Sequence, residues 1–208
     1  MNAYHFLEDE FFLKIGEDNF VVSETAAVTG LKLRQMAQGG IYDEWQEWHV
    51  QHEEKLNALE DLIDELQGSP ALVLYQFNGE LAMLLSRFPN AVVMNGGTSA
   101  KESKKIIEDW NKDKIPVLLA HPKTVGLGLN LQYGSAHNIV WYCPTWSLEE
   151  YIQVEARLWR QGQENTVVVH HIIAERTVDL AVMRAVKRKD ETQTKLLEAL
   201  KEYRGKHV

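Results

Sequence analysis

Two arginines and a glutamine are spaced for one helix face in the stretch QVEARLWRQGQ, residues 153–163. On a helix, Gln153, Arg157 and Arg160 are separated by four and three residues, so an amide and two guanidinium groups lie side by side. Gly162 is predicted to end this helix. Guanidinium groups bind phosphate oxygens through paired hydrogen bonds and keep their charge. The spacing allows an anion clamp or a basic helix end paired with surface carboxylates, and spacing alone favours the second.

A second candidate site is the glycine-containing stretch PKTVGLGLNL, which follows an apolar run. Gly126 and Gly128 would let the backbone approach a ligand closely, and Thr124 offers a hydroxyl group and an amide. A dinucleotide-binding fingerprint is excluded because its third glycine is replaced by Leu131. A structural turn without a ligand remains an equal alternative for this segment.

A third candidate site is the turn NGGTSAKE, in which Ser99 is predicted to cap a helix. The first amides of that helix could face an anion, although a turn without a ligand is equally compatible with the residues. The pattern GxxxxGK[ST] occurs nowhere in the chain. The sequence therefore has no P-loop that could hold the β and γ phosphates of a nucleotide together with Mg²⁺.

The histidines and the cysteine do not form a recognisable metal or catalytic site. His49 and His52 match no zinc-protease motif, and we predict that they lie on a solvated helix face. His170 and His171 are neighbours in a predicted strand, so their side chains point to opposite faces. Cys143 is the single cysteine, which excludes an intramolecular disulfide. No metal site and no serine, histidine and carboxylate triad is predicted.

The composition is that of an ordinary globular protein. The chain has 208 residues, of which 45% are hydrophobic and 25% charged, and a formal net charge of -8. Such a surface repels a phosphate backbone, so contact with nucleic acid requires a local basic patch. No cleavable signal or apolar run of about 18 residues is visible, which predicts a cytoplasmic protein without membrane contact.

The elements that would position these residues alternate along the chain. A helical region precedes the alternation, with predicted helices at Tyr4–Ile15, Ala26–Met36 and Asp43–Leu66. Strands are predicted in ALVLYQ, AVVMN, PVLLAH, HNIVWY and TVVVHHIIA, and helices at about Gly79–Arg87, Ala100–Lys112, Leu148–Trp159 and Thr177–Tyr203. This order predicts an α/β fold: an open, mostly parallel sheet with helices on both faces, preceded by a helical segment. Ligands of such sheets bind at the carboxyl ends of the strands.

Several of these stretches, taken in order, strongly resemble one known family. They are LVLYQF, MNGGTSAKESKKIIEDW, VLLAHPKTVGLGLNLQ, IVWYCPTWSLEEYIQVEARLWRQGQ and VVVHHIIAERTVDLAVMRAV. They resemble the second RecA-like domain of Swi/Snf-like ATPases in helicase superfamily two, of the compact phage or bacterial type. The resemblance implies that residues 1–69 are a helical linker region following a first RecA-like domain absent from this chain. It also implies that residues 70–208 are the C-terminal RecA-like helicase domain with a long C-terminal helix.

The resemblance assigns roles at the nucleotide side of the domain. Arg157 and Arg160 would be arginine fingers that face the γ-phosphate and stabilise the charge developing during hydrolysis. Four further positions would lie at the nucleotide-binding side: Gln153, Gly126, Gly128 and Asn130. The Walker A lysine and the DExH carboxylates of the family would come from the first domain, and neither motif occurs in this chain.

The resemblance also assigns a surface for DNA. Its residues would be Lys123 and Thr124 near one strand, Asn95 and Gly96 at the phosphodiester backbone, and Trp146 near the duplex. The chain departs from the family pattern at several positions. His121 and Pro122 replace small residues, Val125 stands where many members have glycine, and Tyr142 and Cys143 stand where many have an acidic residue.

The implied function is the C-terminal half of a DNA-dependent ATPase that moves along double-stranded DNA. ATP and Mg²⁺ would be cofactors of the complete enzyme, with the first RecA-like domain acting in cis or in trans, and the chain alone would be inactive. Two alternatives remain. The chain could be a stand-alone RecA-like module that docks on a separate ATPase chain, or the domain of a helicase acting on single-stranded RNA or DNA.

Overall fold

The computed structural model describes residues 22–43, 45–126 and 128–187, in which seven helices and seven strands follow one another. The helices are α1 (Val22–Ala37), α2 (Glu54–Glu65), α3 (Asn78–Arg87), α4 (Ala100–Trp110), α5 (Pro122–Val125), α6 (Leu148–Leu158) and α7 (Val178–Lys187). The strands are β1 (Gly40–Tyr42), β2 (Trp48–Val50), β3 (Ala71–Leu74), β4 (Val92–Met94), β5 (Val117–Ala120), β6 (Asn138–Trp141) and β7 (Val168–His171). The predicted helix Tyr4–Ile15 and the predicted continuation of the last helix toward Tyr203 lie outside the described residues. None of the helices in the described ranges is both long and apolar enough to span a bilayer.

Five parallel strands form one sheet in the order β4-β5-β3-β6-β7. The register places Leu72 of β3 between Leu118 of β5 and Ile139 of β6. All four residues of each of these three central strands are buried. Nearly continuous apolar runs give this result because parallel strands are covered on both faces. The predicted α/β fold with five parallel strands is confirmed.

Alternate residues of the strands belong to two apolar clusters, one on each face of the sheet. One cluster joins β3 to helices α4 and α6 through Leu72, Leu74, Trp110, Val154 and Leu158. The other joins β3 to helices α2 and α3 through Ala71, Val73, Leu56, Leu59 and Leu84. Complete burial of one leucine side chain stabilises the fold by about 2 kcal/mol, so both helical layers contribute to stability. Helices on both faces were predicted and are observed.

The predicted helix Asp43–Leu66 is wrong in its first half. Strands β1 and β2 form an antiparallel hairpin there, with Ile41 opposite His49, and helix α2 begins only at Glu54. The second half is helical as predicted, and its apolar positions reach the core. His49 and His52 consequently do not lie on a helix face.

The hairpin forms because its residues have partners that a helix would not give them. The Asp43 carboxylate accepts hydrogen bonds from the amides of Trp45 and Glu47, both at 2.9 Å, which closes the turn. The Trp48 ring lies against glycines, since a Cβ atom on Gly79 would lie only 2.0 Å from it. Tertiary packing thus overrides the helical periodicity of the sequence.

A buried polar cluster links the helices before and after the sheet. The Lys55 ammonium group of α2 lies 2.5 Å from the Asp179 carboxylate of α7, and both side chains are at most 3% exposed. Lys55 also donates to the side chain of Gln38 and to the carbonyl of Tyr142, at 2.7 and 3.1 Å. The Gln38 amide donates to Asp179 at 3.0 Å. Such a pair tolerates burial because its remaining hydrogen-bonding capacity is used.

Candidate nucleotide and DNA interface

Helix α6 carries the arginine segment and starts with a side-chain cap. The Ser147 hydroxyl accepts a hydrogen bond from the amide of Glu150 at 3.1 Å, which satisfies one of the free amides of the first turn. The helix ends at Leu158, and Gly162, with φ of +99°, lies in the turn that follows. The prediction that Gly162 ends the helix is wrong. Arg160 therefore lies two residues beyond the helix rather than on its face.

Both arginines nevertheless reach the same loop. The Arg157 guanidinium donates to the carbonyl oxygen of Gly126 at 2.8 Å. The Arg160 guanidinium donates to the side-chain oxygen of Asn130, also at 2.8 Å. Arg157 is half-buried and Arg160 is exposed. Gly126 and Asn130 of one loop thus hold the two arginines, of which only Arg157 lies on the helix.

The loop that receives the arginines begins with helix α5, a single turn that His121 caps by accepting from the amide of Lys123 at 3.3 Å. Gly126 lies close to Gln153, because a Cβ atom on it would be 2.8 Å from the side-chain oxygen of Gln153. Gly128 has φ of +93°, a conformation that favours glycine. Of the predicted nucleotide-side residues, Gly126 thus lies beside Arg157 and Gln153, and Asn130 lies beside Arg160.

The partners of the two arginines are neutral oxygens. Within residues 22–43, 45–126 and 128–187, neither Arg157 nor Arg160 forms an ion pair with a carboxylate. The Nε atom of Arg157 is buried and has no hydrogen-bond partner in that part of the chain. A carbonyl and an amide oxygen orient guanidinium groups without cancelling their charge. The arrangement is therefore suited to bind an anion, and it does not match a helix end paired with surface carboxylates.

Lys123 and Thr124 follow strand β5 at the carboxyl edge of the sheet. Lys123 is exposed and Thr124 is half-buried. His121, beside them, packs its ring edge-on against Tyr75, with centroids 6.0 Å apart. Burial lowers the pKa of His121 below its ordinary value, so the imidazole is neutral at neutral pH. The exposed charge of this turn is consequently that of Lys123.

Asn95 and Gly96 follow strand β4 at the same edge, in a turn that is held by its own side chains. The Asn95 amide donates to the Thr98 hydroxyl at 3.0 Å. Ser99 and Glu102 form a reciprocal capping box at the start of α4, as the sequence predicts for Ser99. A Cβ atom on Gly96 would meet nothing within 4 Å. The turn is therefore well ordered, and the capping box occupies amides that could otherwise face an anion.

Trp146 follows strand β6 and contacts Arg34, a residue that the sequence did not single out. The Arg34 guanidinium lies 5.9 Å from the Trp146 ring centre and 5.6 Å from that of Phe77. Phe77 directly follows the predicted strand ALVLYQ, at the carboxyl end where ligands of such sheets bind. Arg34 comes from α1, and no local pattern connects it with residues more than 100 positions later.

A buried carboxylic acid lies behind this edge. Burial raises the pKa of Glu80 to about 7, although the amides of Gln76 and Phe77 donate to its carboxylate and oppose the change. Burial also raises the pKa of the Cys143 thiol well above its ordinary value, so this cysteine is not a reactive thiolate. Electrostatic contact with Glu80 contributes to that change. Glu80 thus supplies a carboxyl group beside Cys143, just after strand β6.

The histidines have structural partners. His49 lies 2.7 Å from the Asp43 carboxylate, and this hydrogen bond lowers the pKa of Asp43. Asp43, Glu47 and His49 are the one group of described residues close enough to share a metal ion, but Asp43 already closes the hairpin turn. His170 contacts Asn138 and His171 contacts the Tyr151 hydroxyl. The two neighbouring histidines therefore bind separate partners.

Comparison with known proteins assigns the family. The model of the helicase conserved C-terminal domain matches residues 54–162. A putative protein p41 of Acyrthosiphon pisum secondary endosymbiont phage 1 is 38% identical over 95% of this chain, which spans 43% of that protein. The chromatin-remodeling ATPase INO80 of Mycosarcoma maydis is 26% identical over 67% of this chain, which spans 8% of it. The crystal structure of the C-terminal part of the Fun30 ATPase domain superposes with a TM-score of 0.59 at 17% identity, covering 96% of this chain and 72% of that one. The chain belongs to the helicase conserved C-terminal domain family and is a C-terminal RecA-like domain of the Swi/Snf-like type.

Proposed function

We propose that this chain is the half of a DNA-dependent ATPase and translocase that supplies Arg157 and Arg160 as arginine fingers. The observation that carries the proposal is the loop at residues 126–130, whose neutral oxygens hold both guanidinium groups. Because no carboxylate of the described residues neutralises them, their charge is available to a phosphate. The relatives include a chromatin-remodeling ATPase, which supports the same class of activity.

Arg157 and Arg160 are better suited to bind the phosphates of ATP than to bind a metal ion. Mg²⁺ prefers carboxylate, water and phosphate oxygens, and Arg157 and Arg160 offer only hydrogen-bond donors. A first RecA-like domain, in the same chain or in another, would hold ATP and Mg²⁺. ATP supplies the phosphoanhydride bond that is cleaved. Arg157 and Arg160 would bind the terminal phosphate and stabilise the charge that develops during its transfer.

The proposed DNA surface is the carboxyl edge of the sheet, on which Lys123, Thr124, Asn95, Gly96 and Trp146 follow three different strands. The exposed ammonium group of Lys123 suits a phosphate, and the Trp146 ring suits a base or sugar. The net charge of -8 requires that contact with DNA remains local. Duplex DNA is the proposed partner.

Turnover of the complete enzyme, with its first RecA-like domain present, tests the arginine fingers. Arg157→Ala should lower DNA-stimulated ATP hydrolysis by about 10³-fold, as expected for loss of an arginine finger. Arg87→Ala is the matched control, because it removes an arginine that pairs with Glu53 and Glu60 on another surface. The control should leave the rate unchanged. If a folded Arg157→Ala protein hydrolyses ATP at the wild-type rate, Arg157 is a surface charge without a role in turnover.

Two further measurements separate the proposal from its alternatives. The 208-residue chain alone should hydrolyse no ATP, because it contains no P-loop. DNA-stimulated turnover by that chain would contradict the proposal that it supplies only half of the catalytic site. Stronger stimulation of the complete enzyme by single strands than by duplex DNA would indicate a single-strand helicase. Docking on a separate ATPase chain, without any effect of Arg157→Ala on turnover, would indicate a regulatory module.

A further inference from the structure

The guanidinium group of Arg34 contacts two aromatic rings from separate parts of the chain. Its central carbon lies 5.6 Å from the ring centre of Phe77 and 5.9 Å from that of Trp146. Both distances are within about 6 Å, the range in which a cation is attracted to the face of an aromatic ring. Arg34 therefore links Phe77, which follows strand β3, to Trp146, which follows strand β6.

Hydrogen bonds fix the position of this guanidinium group. One terminal nitrogen of Arg34 donates to the carbonyl oxygen of Pro144 at 3.1 Å and lies 3.8 Å from the sulfur of Cys143. Pro144 is two residues before Trp146, so Arg34 holds both the backbone that leads to the ring and the ring itself. Cys143 is fully buried, so on that side Arg34 contacts the packed interior.

The two rings lie at the edge of the sheet that we propose to contact DNA. Strands β3 and β6 are neighbours in the sheet, and Leu74 is paired with Trp141 at their carboxyl ends. The residues that follow them are therefore adjacent in space. Phe77 and Trp146 are each only partly buried, so part of each ring remains accessible to a ligand.

We propose that Arg34 is a positioning residue that orients Trp146 against duplex DNA, with Phe77 as the second ring of the same cluster. The proposal rests on the DNA surface proposed above. It places helix α1, which precedes the matched residues 54–162, in the DNA-binding apparatus. A tryptophan held in one orientation loses less conformational freedom on binding than a mobile one, which favours stacking on a base or sugar.

Arginine is suited to this place in a way that lysine is not. A planar guanidinium group can lie against an aromatic ring while one of its nitrogens donates to a carbonyl group, and a lysine ammonium group is a compact and strongly hydrated charge. Arg34→Lys keeps the charge and should still lose much of the orientation. A direct phosphate contact by Arg34 would instead be largely retained by lysine.

Binding of duplex DNA by the 208-residue chain, followed by fluorescence anisotropy, tests the proposal. Arg34→Ala and Arg34→Lys should each weaken binding by about fivefold, because a Trp146 side chain that Arg34 no longer orients must be ordered when DNA binds. Arg34→Ala should add nothing further in a chain that already carries Trp146→Ala, because Arg34 acts through that ring. Arg87→Ala removes the same charge elsewhere and should leave affinity unchanged. The slope of log affinity against log salt should also be unchanged in Arg34→Ala, whereas loss of a phosphate contact would reduce it by about 0.9.

A second readout does not depend on DNA. In protein labelled with 5-fluorotryptophan, the ¹⁹F resonance of Trp146 is identified by its loss in Trp146→Phe. Arg34→Ala should shift this resonance and Arg87→Ala should not. An unshifted resonance, or effects of Arg34 and Trp146 on affinity that simply add, would overturn the positioning role.

The two proposals can fail separately. If the wild-type chain does not bind duplex DNA, the DNA surface and the role of Arg34 in it both fail, and the ¹⁹F spectrum still shows whether Arg34 orders the ring. If duplex DNA binds and Arg34→Lys leaves both affinity and resonance unchanged, only the role of Arg34 fails. If Arg34→Ala does not fold, Arg34→Lys is compared with the wild-type protein in both measurements instead.

Discussion

Replacement of Glu80 by glutamine should make the protein more stable above neutral pH. Glu80 is fully buried in helix α3, and one of its oxygens accepts from the amide of Gln76 at 2.8 Å. Glutamine has the same shape and can accept the same hydrogen bond, but it never carries a charge. Lys55 is the positive group whose charge lowers the pKa of Glu80, and burial outweighs it. Glu80→Gln therefore removes the cost of ionising a carboxyl group in the interior.

The magnitude follows from the pKa in the folded state, which is about 7 against an ordinary value of 4.5. Between these pH values the folded protein keeps a proton that the unfolded chain has lost. The free energy of unfolding must therefore fall as pH rises through this window, and it levels off above pH 7. One pH unit corresponds to about 1.4 kcal/mol, so the wild-type protein should lose about 3 kcal/mol that Glu80→Gln retains.

Urea unfolding at several pH values from 4.5 to 8 measures this difference. Other titrating groups are common to both proteins, so their effects cancel when the two free energies of unfolding are subtracted at each pH. We expect the two proteins to be similar near pH 4.5, with Glu80→Gln increasingly more stable up to pH 7 and a constant difference above it. A difference that does not change with pH would refute the buried, protonated carboxyl group.

Two predictions concern packing. Lys55→Ala should destabilise the fold by about 3 kcal/mol in urea unfolding, because it leaves the buried Asp179 carboxylate without its charged partner. Lys114→Ala removes the exposed ion pair of Lys114 with Asp109 and should cost about 0.5 kcal/mol. A similar loss of stability from the two substitutions would contradict the claim that burial makes the Lys55 ion pair important. Gly79→Ala should destabilise by about 2 kcal/mol, because the new methyl group overlaps the Trp48 ring. Gly96→Ala, with open space around it, should unfold at nearly the same urea concentration as wild type, and equal effects of the two substitutions would argue against the close contact.

The sheet was predictable because its signals are local. Every residue of strands β3, β5 and β6 is buried, and all but Asn138 are apolar. Such runs can be identified without knowledge of the rest of the chain. The helix cap Ser99 and its partner Glu102 are only three positions apart. The hairpin was missed because its stability depends on contact between Trp48 and Gly79, which are 31 positions apart. Helical periodicity in the intervening residues carried no sign of that contact.

The candidate site was predictable in its residues and less so in its geometry. Family resemblance selected Arg157 and Arg160, but helical spacing gave the wrong reason for their proximity, since Arg160 follows the end of α6. Their common partner is a loop about 30 positions earlier. Arg34 could not be found from the sequence, because an isolated arginine in an amphipathic helix is ordinarily a solvated charge.

The pairing of Lys55 with Asp179 bears on where this domain can be cut. The family model covers residues 54–162, so it contains Lys55 and excludes both Gln38 and Asp179, two of the groups that solvate the buried ammonium. A fragment trimmed to those limits would lack strand β7 and would leave the Lys55 ammonium group with Tyr142 as its remaining hydrogen-bond partner. A fragment that keeps this buried cluster intact is therefore larger than the stretch by which the family is recognised, since it extends at least from Gln38 to Asp179.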